Sequence, residues 1–100
     1  MTNANVARMR VISQQELKEF LNYNLDTGIF TWVKSSNSSI KIGSIAGCRD
    51  KSLYLKIGVK GRQYMAHRLA WLYVTGKMPI EYIDHINGIR DDNRFCNLRQ

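Results

Sequence analysis

Cysteine is scarce in this chain. Cys48 and Cys96 are too few and too far apart for a Cys-x-x-Cys zinc knuckle, so no structural zinc is expected. Both thiols read as reduced and structural, as in an intracellular chain. No apolar run approaches the ~20 residues that cross a bilayer. Residues 1–10 lack the apolar centre of a secretory signal, so the expected location is the host-cell cytoplasm. Acidic side chains are also few, eight Asp/Glu against fifteen Lys/Arg, which gives a net charge of +7. The excess is uneven: residues 1–50 carry six basic against four acidic groups, and residues 51–100 carry nine against four. A polyanionic partner held through phosphates follows from that balance. An acidic lipid surface does not, because no segment sets a basic face against a broad apolar one.

What is present is the composition of one small folded domain, with 44% hydrophobic residues over 100 positions. Residues 1–12 are polar and aperiodic and read as a flexible lead-in to a single domain over 13–100. Ser13 and Glu16 form a capping box, and Leu17, Phe20 and Leu21 follow at helical spacing, predicting a helix that ends near Asn22 to Asn24. Residues 29–33 predict a first strand, residues 40–46 a glycine-interrupted second, residues 53–57 a third and residues 62–66 a fourth, the last two joined by a hairpin over 58–61. Tyr54, Lys56, Arg62 and Tyr64 are expected on one basic, aromatic sheet face able to follow a nucleic-acid backbone. Residues 67–75 predict the central packing helix, capped at Gly76 and stopped by Pro79. His67 at its start reads as structural, whereas Arg68 is placed to reach a phosphate.

The chemistry concentrates in residues 82–100. Asp84 and His85 end a short apolar run predicted as a strand over 82–86. A polar loop follows, then a second strand near 94–96 and a helix starting at Leu98 or Arg99. An imidazole beside a carboxylate supplies a base for water and an oxygen ligand for a hard cation. Hydrolysis requires the two side chains to be presented together to a positively charged groove; turned apart, they leave only binding.

Three pieces stand in order: Asp84-His85-Ile86-Asn87-Gly88, Asp92-Asn93-Arg94 and Asn97-Leu98-Arg99, with the basic run from His67 to Leu72 upstream. In that order the chain resembles the small HNH endonucleases of phages and mobile elements, from about Gln15 onward. The resemblance implies an α+β fold, a small antiparallel sheet with two helices over 13–80, followed by a β-β-α metal finger over 81–100. The finger is expected to be incomplete, since the resemblance stops before the third signature residue. By resemblance His85 is the general base, Asp84 the ligand of a weakly held Mg²⁺ or Mn²⁺, and Asn97 the residue that braces the loop and orients the imidazole. Asn87 and Asn93 are loop formers whose amides tie the backbone. Lys56, Lys60, Arg62, Arg68, Arg90, Arg94 and Arg99 are the phosphate-binding candidates.

Two functions follow as expectations. One is a metal-dependent DNA endonuclease, a hydrolase of phosphodiester bonds. The other is an inactive, nuclease-derived phage binding protein that holds nucleic acid or blocks a host nucleic-acid-processing complex, as anti-CRISPR proteins do.

Overall fold

The computed structural model describes residues 11–100; the greater part of the expected lead-in lies outside the described residues. Ile12 is already part of the fold: its side chain is buried and its backbone N–H donates to the Tyr64 hydroxyl at 3.2 Å. The described residues form a mixed α+β fold with two helices and small antiparallel sheets.

Helix α1 (Gln14–Phe20) starts as its capping box requires, with the Ser13 hydroxyl accepting from Glu16 N and the Glu16 carboxylate accepting from Ser13 N. It ends earlier than the apolar spacing predicts. Leu21 and Tyr23 are buried while Asn22 and Asn24 are exposed, the alternation of a strand, and β1 (Leu21–Asn24) pairs with β2 (Ile29–Trp32) in the register Leu21–Trp32 and Tyr23–Phe30. Cross-strand burial overrides the helical stripe because it covers four large side chains at once. The turn between β1 and β2 is built by Asn24, whose Oδ1 accepts from Asp26 N and Thr27 N, and by Gly28 at φ +75°.

The strand expected over 40–46 is a loop. Gly43 adopts φ +91° and Ser44 N turns back onto Lys41 O; the segment meets β2 through an isolated bridge, Thr31 to Ile45, with Gly43 N donating to Trp32 O, Trp32 N to Ser44 O and Ala46 N to Phe30 O. Strands β3 (Cys48–Arg49), β4 (Leu55–Val59) and β5 (Arg62–Met65) form a three-stranded sheet in that order. Lys60 and Gly61 turn the β4–β5 hairpin with φ +53° and +79°, as a tight two-residue hairpin demands.

The register separates the expected basic face. Lys56 lies opposite Met65, Ile57 opposite Tyr64 and Val59 opposite Arg62, so Arg62 and Tyr64 share a face with buried Ile57 and Val59, and Lys56 belongs to the other. The strand expected over 53–57 is displaced to Leu55–Val59, so Tyr54 precedes it, and the offset between the strands is set by the turn.

Helix α2 (Ala66–Thr75) buries Ala66, His67, Leu69, Ala70 and Leu72 and ends at Gly76, left-handed at φ +81° with its N–H on Leu72 O. The finger region differs most from expectation. Its first strand, β6, is only Asp84–His85; residues 95–97 form a 3-10 turn; and Leu98–Arg99, expected to open a helix, are strand β7 paired with β6. Leu98 is buried opposite His85, and that burial holds the segment extended.

Phe30 is fully buried and packs against Tyr23 and Tyr73 at ring separations of 4.7 and 6.2 Å. Phe30→Ala is expected to lower stability by about 3–5 kcal/mol, measured as a shift of the urea midpoint at unchanged slope.

Candidate functional site

The β6–β7 ribbon is two residue pairs long, and alternation along it sets the site. Asp84 is exposed and His85 is buried, so the two side chains leave opposite faces. The Asp84 carboxylate meets Arg99 across the ribbon at 2.7 Å. His85 Nε2 meets Asn93 Oδ1 at 2.8 Å, and Asn93 is 1% exposed. With an amide oxygen as partner, Nε2 carries the proton and Nδ1 keeps the lone pair. The amide that orients the imidazole is therefore on Asn93, not on Asn97 as the sequence suggests.

Asn97 does brace the loop. Its Oδ1 accepts from Asn87 N at 3.0 Å, and its Nδ2 donates to Asn87 Oδ1 and to Asp92 O at 3.0 and 2.9 Å. Asn87 also donates to Asp92 Oδ2 at 2.7 Å and accepts from Ile89 N. Asp92 is held by Arg94 through two bonds of 2.8 Å, and this guanidinium keeps the carboxyl well below the usual carboxylate range. Asn87, Asp92, Arg94 and Asn97 thus close a polar loop around one end of the ribbon.

Aromatic rings close the other side. His67 lies edge-on to His85 at 4.9 Å, and Tyr54 stands 5.5 Å from His67 and 6.0 Å from His85. Arg90 covers the Tyr54 ring at 5.1 Å and donates to Ser52 O at 2.9 Å. Burial, then the neighbouring His85 and Arg68, hold His67 down to about 4, and its Nδ1 has no hydrogen-bond partner. Asn93 is held in turn from outside the finger: its carbonyl accepts from the Tyr23 hydroxyl, and Phe95 N donates to Leu25 O at 3.3 Å. No sequence signal joins Tyr23 to Asn93, which lie seventy positions apart.

The basic candidates do not form one patch. Arg94 and Arg99 lie in the finger with Asp84 and His85, and Arg68 donates to the carbonyls of Pro79 and Glu81 at 2.9 and 3.3 Å. Lys60 pairs with Glu16 at 2.7 Å at the far hairpin, where this bond and the Ser13 backbone hold the Glu16 carboxyl down to about 2. Lys56 pairs with Asp50 at 2.9 Å, and Arg62 is exposed beside the same turn as Lys60. A groove of about 650 Å³ lined by Trp32, Lys41, Arg49 and Lys56 draws nothing from the finger.

Residues 64–100 match the family model described as HNH endonuclease. This segment is similar to the HNH endonuclease family. Comparison with curated proteins and with solved structures returns no match. The HNH match spans β5 from Tyr64, helix α2 and the whole ribbon, and leaves out the β1–β2 hairpin that contacts Asn93. The family supports nuclease-type function on a nucleic-acid substrate and generally uses a divalent metal. Among the described residues no three His, Cys, Asp or Glu side chains gather around a point. That donor set does not suit zinc, which takes three or four N or S ligands. A hard cation that keeps its water needs fewer protein ligands, one carboxylate plus phosphate oxygens being enough. No helix of the described residues is long and apolar enough to cross a membrane.

The depressed His67 has a measurable consequence. Unfolded His67 takes up a proton near pH 6.5 while the folded side chain stays neutral down to about 4. Its contribution is therefore complete above pH 6.5 and is lost as pH falls towards 4, by about 1–3 kcal/mol. The Glu16 and Asp50 carboxyls, both held down to about 2, lose theirs only at lower pH. Urea midpoints at pH 7.5 and 4.5 should differ clearly in the wild-type chain and by much less in His67→Gln.

Proposed function

We propose that this chain is a metal-assisted DNA endonuclease in which His85 activates water. The observation that carries the reading is the bond between His85 Nε2 and Asn93 Oδ1, within the HNH match. A base needs one ring nitrogen fixed as donor so that the other is free to accept, and a buried amide oxygen does this without adding charge. His85 Nδ1 takes the proton of the attacking water, the water oxygen bonds to phosphorus, and the bond to the 3′ oxygen breaks. The leaving oxygen takes its proton from solvent. A divalent cation at Asp84 supplies electrostatic stabilisation of the developing charge.

Asp84 and His85 do not face a common groove, and this departs from what the sequence reading requires. Ribbon length offers a resolution. Strand β6 pairs only with β7 among the described residues, so no other strand covers its outer edge. A phosphodiester laid along that edge is flanked by Asp84 from one face and His85 from the other. Arg99 must then release Asp84; both side chains are more than half exposed, and water screening makes such a pair easy to open. Once released, Arg99 is a phosphate contact in its own right.

The same opposed geometry favours a second reading, a binding protein that holds nucleic acid, or occupies a host protein that handles it, without cutting. The two separate in one set of assays. Supercoiled plasmid incubated with Mg²⁺ or Mn²⁺ should be nicked or linearised, with His85→Ala reducing the rate by at least about 100-fold and Asp84→Ala raising the metal concentration required. Salt-dependent DNA retention with no divalent-dependent product, or equal product from His85→Ala, would replace hydrolysis with binding.

A further inference from the structure

The β1–β2 hairpin lies outside the HNH match, yet it touches the site at the one residue that holds the base. Tyr23 is fixed by Phe30 at 4.7 Å and Tyr73 at 5.6 Å, and its hydroxyl donates to Asn93 O at 2.5 Å. One turn further on, Gly28 lies so close that a Cβ there would stand 2.4 Å from Asn93 C and 2.3 Å from Arg94 N. The Asn93–Arg94 peptide is thus gripped on its carbonyl by a phenol and on its plane by a glycine. The Asn93 side chain itself has little else to hold it: Oδ1 is on His85, and Nδ2 has no partner. Its direction is set by where its backbone is pinned.

We infer that Tyr23, with Gly28, is a positioning residue for His85: the hairpin fixes the Asn93 backbone, and the Asn93 amide in turn fixes the imidazole as the Nε2–H form with Nδ1 free. This rests on the reading of His85 as the base, and it adds to the site a segment of the chain that the family match does not include. Burial pushes the Tyr23 phenol well above its ordinary range, so it stays a neutral donor throughout the working pH. Phenylalanine keeps the ring packing and deletes only the hydroxyl, leaving the Asn93 carbonyl free to shift. Small displacements of a catalytic group are expensive in rate, so a loss of about 10-fold is reasonable for a single broken support.

The test uses the full chain with ¹⁵N-labelled histidine. In the wild type the His85 ring should show the Nε2-protonated tautomer. In Tyr23→Phe, with far-UV circular dichroism unchanged, its two nitrogens should move towards a mixed tautomer while the His67 nitrogens stay in place. Single-turnover plasmid nicking should fall about 10-fold at saturating DNA, with half-saturation within twofold. Gly28→Ala, which disturbs the same peptide by contact instead of hydrogen bonding, should move the same resonances. Val59→Ala, a core loss on β4 away from this path, is the control for general destabilisation. An unchanged His85 spectrum in Tyr23→Phe, or the same shift in Val59→Ala, overturns the inference. If the wild type cuts no DNA the nuclease reading fails, and the ring spectrum still decides whether the hairpin positions His85.

Discussion

Everything in the finger depends on one buried hydrogen bond between an uncharged amide and an imidazole. His85 points inward because the ribbon alternates, and an inward-facing polar ring must find a partner or lose its hydration without return. Asn93 provides that partner and is itself almost fully buried. A carboxylate in its place would attract a proton to the ring and hold it; a neutral amide fixes direction without doing so. The residues around the bond are arranged accordingly. Asn97 and Asn87 shape the loop that carries Asn93, Asp92 and Arg94 neutralise each other beside it, and Tyr54 and His67 exclude water from the ring's flank.

Charge plays a more distributed part than a net +7 suggests. Among the described residues, Arg49, Lys56, Lys60, Arg94 and Arg99 are all paired with carboxylates. These pairs differ in kind. Arg94 grips a half-buried Asp92 with two bonds and belongs to the loop's architecture. Arg99 and Asp84 meet in the open, where a polyanion with many phosphates competes effectively for the guanidinium and a cation competes for the carboxylate. The pair therefore opens at little cost, unlike the Asp92–Arg94 pair.

The chain's local signals were legible in the sequence to the extent that they were local. The Ser13 capping box, the Gly76 cap and the order of the Asn and Asp residues in the finger loop all rest on neighbours within a few positions. What failed involved distant partners. Leu21 and Tyr23 satisfy a helical spacing and a strand alternation equally, and only Phe30 and Trp32 across the hairpin decide between them. Alternation alone puts Lys56 and Arg62 on one face, and only the tight Lys60–Gly61 turn sets Lys56 opposite Met65. Leu98 and Arg99 look like the start of a helix in sequence because their strand partners, His85 and Asp84, lie thirteen and fifteen positions back. In the finger, whether Asn93 or Asn97 meets His85 depends on which amide points inward, and that is a property of the folded loop.

The seventy positions between Tyr23 and Asn93 also bear on when the site comes into being. Contacts so far apart along the chain form late, since the loop they close must first lose its freedom. The finger ribbon and its loop are local and can assemble early, but the peptide carrying Asn93 is not clamped until the opening hairpin has docked against it. A nascent or partly unfolded chain therefore carries the finger loop before the peptide of Asn93 is held in place, and that clamp arrives with a late long-range contact of folding.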